Sequence, residues 1–194
     1  MAATTILTPT DKLAAVNICL TNLGESPVAD LDSNIMVDAQ IASDIVDEIS
    51  REVQSTGWNF NTETHTLTPD VSGNLAVPTA TLKADSTGNS RRRNLVLRNT
   101  RMYDKDNNTY AFTGAVTLEL VLFLDFDELP ETARRLIALR AARVFQERQL
   151  GNDSLSQENQ QDENRAWAAM IREEAQSGDY NLLNNPIMAR IARR

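Results

Sequence analysis

Apolar residues change their spacing twice along this chain, and the two changes narrow the fold class. From Val37 to Val53 they recur every four positions, as Val37, Ile41, Ile45, Ile49 and Val53, with Val46 widening the stripe. That spacing lines one side of a helix. Beyond Gly57 the pattern shortens to alternation, and Trp58 and Phe60 interleave with Asn59 and Asn61. Helical spacing returns after Pro130, through Ala133, Leu136, Ile137, Leu139, Val144 and Phe145. Runs of strands kept apart from runs of helices indicate an α+β chain, not a βαβ array. The reading is an antiparallel bundle of about four helices with a small antiparallel β module between helices two and three. Residues 1–57 and 129–180 form the helical domain, 58–128 the inserted module and 181–194 a C-terminal tail.

Element ends follow from local chemistry. A first helix is predicted from Pro9 to Leu23, with Thr8 as cap, Pro9 in the first turn and Asp11 at the capping-box position. Leu13, Val16, Leu20 and Leu23 share its apolar face, Cys19 lies beside it as a small buried hydrophobe, and Gly24 stops it. The second helix is predicted from Asn34 to Thr56, begun by Asp32 or Ser33 and ended by Gly57. Strands are expected near 63–68, 75–84, 94–103, 109–112 and 115–126, separated by turn-forming segments such as Pro69-Asp70 and Ser72-Gly73-Asn74. In the last strand Val116, Leu118, Leu120, Leu122, Leu124 and Phe126 share a face while Val121 and Phe123 make the other apolar, so it is expected at the centre of its sheet. The third helix ends at Gly151. The fourth runs from about Ser154 to Ser177 behind Asp153, with a thin apolar side of Leu155, Trp167, Met170 and Ile171. So polar a helix is either half-solvated or packed between chains.

Charge is distributed in blocks. The net is −8, from 19 basic and 27 acidic side chains, which argues against a general nucleic-acid binder. Residues 11–70 set eleven acids against Lys12 and Arg51. Residues 83–101 reverse this, with Lys83, Arg91, Arg92, Arg93, Arg98 and Arg101 against Asp85 alone. The tail carries Arg190, Arg193 and Arg194 and no acid. Blocks of unlike sign suit an assembly, where complementary charge sets encounter and orientation. The Arg91–Arg93 run lacks interleaved aromatics, so a solvated tip or a protein contact fits it better than single-stranded nucleic acid. Acidic helices along a channel would repel phosphate and let DNA slide.

Catalytic and metal chemistry finds little to build on. A single cysteine, Cys19, excludes an internal disulfide framework and multi-cysteine metal sites, and a single histidine, His65, excludes histidine-rich ones. No phosphate loop, dinucleotide fingerprint, nucleophile elbow or zinc-protease motif is present. No cofactor is expected. Asp125, Asp127 and Glu128 are the one carboxylate cluster worth testing as a glycosidase pair, and the competing reading has them favouring the start of the next helix. No apolar run reaches membrane-spanning length and no signal peptide is evident, so synthesis in a reducing cytoplasm is expected.

Several short motifs occur in a telling order: Leu13-Ala14-Ala15-Val16-Asn17, Leu23-Gly24-Glu25-Ser26-Pro27-Val28, and Arg51 and Gln54 leading into Gly57-Trp58-Asn59-Phe60-Asn61. Leu67-Thr68-Pro69-Asp70, Asn74-Leu75-Ala76-Val77-Pro78, Tyr103-Asp104 and Asp125-Phe126-Asp127-Glu128-Leu129-Pro130-Glu131 follow. In these motifs, over about residues 11–135, the chain resembles the tail tubular protein A family, the adaptor or gatekeeper ring of short-tailed podophages. The resemblance implies an α+β virion protein without enzymatic activity, assembled as a dodecameric ring. That ring lies between the portal protein and the tail nozzle (tail tubular protein B), with tail fibres attached nearby. Double-stranded DNA passes through it without sequence-specific binding, and no membrane is involved. The tail residues Ile187, Met188, Arg190, Arg193 and Arg194 are candidate portal contacts. Arg91, Arg92 and Arg93 are candidate contacts to nozzle, fibre or neighbouring subunit. The alternative function is a hydrolase of host-surface polysaccharide, alone or in addition to the structural role.

Overall fold

A computed structural model describes residues 8–32, 36–149 and 153–177. Within them lie four α-helices, α1 (Lys12–Asn22), α2 (Val37–Ser55), α3 (Glu131–Gln149) and α4 (Asp153–Ser177), and five strands. The strands are β1 (Thr62–Leu67), β2 (Thr81–Ser86), β3 (Leu95–Arg98), β4 (Arg101–Asp104) and β5 (Val116–Leu122). The class is α+β, and all five strands fall between α2 and α3 in chain order. Contacts divide the chain into two compact units, one of residues up to Val46 plus those from Pro130 onward, the other of Asp47–Leu129.

In the first unit, α1 starts one turn later than its composition suggests. Asp11, in an extended conformation, is itself the N-cap, and its carboxylate accepts the Ala14 N–H at 2.7 Å. Such a cap contributes about 1 kcal/mol. Thr10 is held elsewhere: its N–H and hydroxyl donate to the Glu131 carboxylate at 2.9 and 2.6 Å, and its carbonyl accepts from Arg134. At the other end, the Gly24 and Glu25 N–H groups donate to the carbonyls of Thr21 and Leu20. Gly24 has φ +85°, so this is the glycine stop that the sequence predicts.

Helix α3 buries Ala133, Leu136, Ile137, Ala138, Ala141, Ala142 and Phe145, and packs on both α1 and α4. Side-chain pairs fix the directions. Thr10 meets Glu131 and Asn22 meets Ala142, so α1 runs in the same sense as α3. Thr132 meets Glu173 and Gln146 meets Asn159, so α4 runs opposite to α3. The bundle is therefore not antiparallel throughout. Only helices joined by short loops are obliged to reverse, and α1 and α3 are separated by most of the chain.

The α2 stripe differs from its expectation too. Ala39, Ala42, Ile45, Val46, Ile49 and Val53 are buried, while Val37 is 74% exposed and Ile41 36%. A four-residue repeat overshoots the helical turn by about 40° each time, so two repeats before Ile45 the side chain has left the core face. Alanines take the vacated positions. The predicted start at Asn34 and the end of α3 at Gly151 lie outside the described residues.

In the second unit β5 is central, as expected, with β1 and β2 antiparallel on either side in the order β1-β5-β2. A separate antiparallel hairpin pairs β3 with β4. Val116, Leu118 and Leu120 of β5 meet Leu75, Val77, Leu95, Met102 and Phe112 in one apolar core. The expected strand at 94–103 is two strands, turned at Asn99-Thr100, where Asn99 takes φ +54°. The 75–84 strand divides at Pro78: Leu75 and Val77 bond to Met102 and Thr100, and β2 begins only at Thr81. Residues 109–112 contribute one isolated bridge, Thr109 to Asp104. The last strand stops at Leu122, and Phe126 packs from a 3-10 turn over Phe126–Glu128.

Candidate functional site

The residue types that ordinarily do chemistry lie on separate elements. Cys19 is fully buried in α1, and that burial pushes its thiol up to about 12, far from a reactive thiolate. His65, on β1, contacts the Glu63 carboxylate at 2.7 Å. Asp125, Asp127 and Glu128 are exposed on the turn that precedes α3, and Asp125 makes no side-chain cap there. Among the described residues, no cluster of three or more metal-ligating side chains exists.

A polar clamp explains the motif running from Gln54 to Asn61. Gln54 is fully buried. Its amide donates to the Leu124 carbonyl at 2.9 Å and accepts the Leu124 N–H at 2.8 Å, pairing with the backbone as a strand would. Asn61 accepts the Trp58 N–H at 2.8 Å and donates to the carbonyls of Gln54 (3.0 Å) and Leu122 (2.8 Å). This is why Asn59–Asn61 form a 3-10 turn and not the alternating strand that Trp58 and Phe60 suggest. Gly57 turns at φ +84°, and a Cβ there would lie 3.0 Å from the Val121 side chain. The clamp fixes where β1 and β5 leave the end of α2.

A second clamp joins α3 to α4. Glu163 is almost fully buried, and each of its carboxylate oxygens accepts from an arginine Nε at 2.7 Å, one from Arg140 and one from Arg143. Contact with Glu163 and Glu147 outweighs burial and raises the Arg143 pKa further above its ordinary value. None of these three residues belongs to the apolar stripes expected for α3 and α4. The structure turns all three inward and leaves Trp167 (38% exposed) and Ile171 (43%) on the surface one turn apart. Arg140 lies over the Trp167 ring, 5.8 Å from its centre.

The arginine run stands where it is expected. Arg91, Arg92 and Arg93 are exposed on the turn after Gly88–Ser90. That turn is pinned by the Ser86 hydroxyl donating to the Arg93 carbonyl and the Ser90 hydroxyl accepting the Thr117 N–H. Arg92 and Arg93 border an open depression of about 360 Å³ shared with Asp104, Asp106, Asn107 and Phe112. Asp104 accepts from the Asn107 side chain and from the backbone of Asp106 and Asn107. These bonds, with the nearby Arg93 charge, hold its carboxyl below the usual range.

Another basic surface escapes the sequence reading. On the hairpin, Leu95, Leu97, Met102 and Asp104 turn inward, and Val96, Arg98, Arg101 and Tyr103 occupy the other face. The Arg98 guanidinium lies 3.7 Å from the centre of the Tyr103 ring, and the Arg101 guanidinium 4.9 Å from that of Tyr110. The two rings meet edge to face at 4.8 Å. The signal was present as alternation on both sides of Asn99-Thr100, and reading 94–103 as one strand hid it. The tail candidates Ile187, Met188, Arg190, Arg193 and Arg194 lie outside the described residues.

Comparison with known proteins points one way. A model of the tail tubular protein family matches residues 13–180. Tail tubular protein A of Klebsiella phage KP34 is 29% identical over 182 residues, which cover 94% of this chain and 96% of that relative.

Proposed function

The chain belongs to the tail tubular protein family and is a structural component of a phage tail, and from that premise we propose that it is the repeating subunit of a ring-shaped head-to-tail adaptor. The ring joins the portal protein to the tail nozzle, contacts the tail fibre, and surrounds the passing double-stranded DNA without reading its sequence. The observation that carries this reading is a family match across nearly the whole chain, helices and strands alike. The organisation of the surface supports it. Exposed Met36 just before α2 with Val37 and Ile41 on it, Trp167 and Ile171 on α4, and two arginine-bearing tips are features of mating faces. In a dodecameric ring each subunit must bury well over about 1,000 Å² with its neighbours.

Work is divided between the ends of the chain in this reading. The basic tail, with Ile187, Met188, Arg190, Arg193 and Arg194, docks on the portal. Arg91, Arg92 and Arg93 face the nozzle, the fibre or an adjacent subunit. The protein acts through shape and surface, not turnover. Mixing the purified chain with cognate portal tests this: stable co-sedimentation is expected, and deletion of residues 186–194 should weaken binding while leaving the fold intact. A chain that ignores the portal in every condition contradicts the proposal. Turnover of host-surface polysaccharide, lost on replacing Asp125, Asp127 and Glu128 with alanine in a folded chain, would establish the hydrolase instead.

A further inference from the structure

We propose that the outer face of the β3–β4 hairpin binds the carboxylate stripe of α2 on a second copy of this chain. The inference rests on the ring reading above and names one contact within it. Arg98 and Arg101 are direct cross-strand partners, so their backbones are about 5 Å apart. Each guanidinium is seated on a tyrosine ring, which limits the freedom lost on binding. Neither makes an ion pair among the described residues, and the hydrogen bond Arg101 makes is to an uncharged amide, Asn74, at 3.2 Å. Arginine and tyrosine are both enriched at the centres of protein interfaces.

The complement is on the same chain. Asp44, Glu48 and Glu52 are exposed on α2 and spaced four residues apart, so they form one stripe with successive acids about 6 Å apart. That repeat is close to the spacing of the two arginine backbones. Because the two patches differ, the contact is head-to-tail, and a head-to-tail contact closes into a ring when its rotation allows. A carboxylate-bearing protein fits better than DNA. The chain carries a net −8 that repels phosphate, and the tyrosine faces that would stack on bases are covered by the arginines.

The test uses two full-length charge reversals, Arg98→Glu with Arg101→Glu, and Glu48→Lys with Glu52→Lys. Both are checked for native circular dichroism and melting. Self-association is read by sedimentation velocity, alone and with portal as template. Each variant by itself should associate about tenfold more weakly than wild type. An equimolar mixture should recover wild-type association, since every hairpin then finds an oppositely charged helix. A milder pair, Arg98→Gln with Arg101→Gln, should lose most of the salt dependence. Variants that associate like wild type, a mixture no better than its components, or a reversal that alters only DNA binding would each overturn the contact while leaving the ring reading standing. Wild-type chain that never self-associates, with portal or without, removes the ring reading and this contact together.

Discussion

Between α3 and α4, a buried carboxylate, Glu163, is held by Arg140 and Arg143 at 2.7 Å each. Where α2 gives way to the strands, an uncharged amide, Gln54, pairs with both backbone groups of Leu124. Each clamp centres on a buried polar side chain, yet they fail differently. Ions must recover a large desolvation cost, so a charged triad adds little over a well-packed apolar one and becomes costly only when one member is removed. An amide bonded to backbone has no apolar substitute, because the N–H and C=O that it satisfies remain after it has gone. The helical unit can thus trade its clamp for packing, and the strand unit cannot.

Four variants break or sharpen this contrast. Gln54→Leu should cost most, about 3–5 kcal/mol, since it leaves two partly buried backbone groups at Leu124 without their partner inside the fold. Urea unfolding checks the magnitude, and faster hydrogen exchange at the end of β5 locates it. Glu163→Gln should cost about 2 kcal/mol, because two partly buried arginines lose the carboxylate they share and Arg143 keeps only Glu147. Replacing Arg140, Arg143 and Glu163 together by leucine should restore stability to within about 1 kcal/mol of wild type, an outcome closed to the Gln54 site. Gly57→Ala should cost about 1–2 kcal/mol, from the positive φ and from the Val121 contact, and should appear as a lowered urea midpoint.

Acid should act weakly and in a known direction. Although burial pushes the other way, bonds from Thr10 and the charges of Arg134 and Arg135 leave the Glu131 pKa below its ordinary value. A depressed carboxylate stabilises the fold above the unfolded pKa, about 4.3, and that contribution is lost as pH falls through the lower folded value. Glu131→Gln should therefore flatten the acid limb of stability by less than about 1 kcal/mol, because the site is exposed to solvent. Thermal melts between pH 7 and pH 3 check it.

Much of this architecture was legible in residue order, and the failures share a cause. The helices, the stops at Gly24 and Gly57, the central β5 and the arginine tip all follow from periodicity or from glycine chemistry. What stayed hidden depends on residues that propensity rules weigh lightly. Alanines 39 and 42 displaced Val37 and Ile41 from the core face, because a small side chain packs wherever helices approach. Asn99 turned a supposed single strand into a hairpin by adopting a left-handed conformation without glycine. Asn61 and Glu163 are polar residues outside the apolar stripes, and their burial depends on partners 61 and 23 positions away along the chain. The candidate surface was legible as charge, since the basic block is visible by counting. Its geometry was not, because Arg98, Arg101, Tyr103 and Tyr110 meet only once the chain turns.

The central claim is that this chain works by repeating itself around an axis. Electron microscopy of the full-length chain mixed with its portal tests that most directly. The account predicts a closed, dodecameric ring stacked coaxially on the portal. Portal particles left bare, beside a chain that stays monomeric, would contradict it.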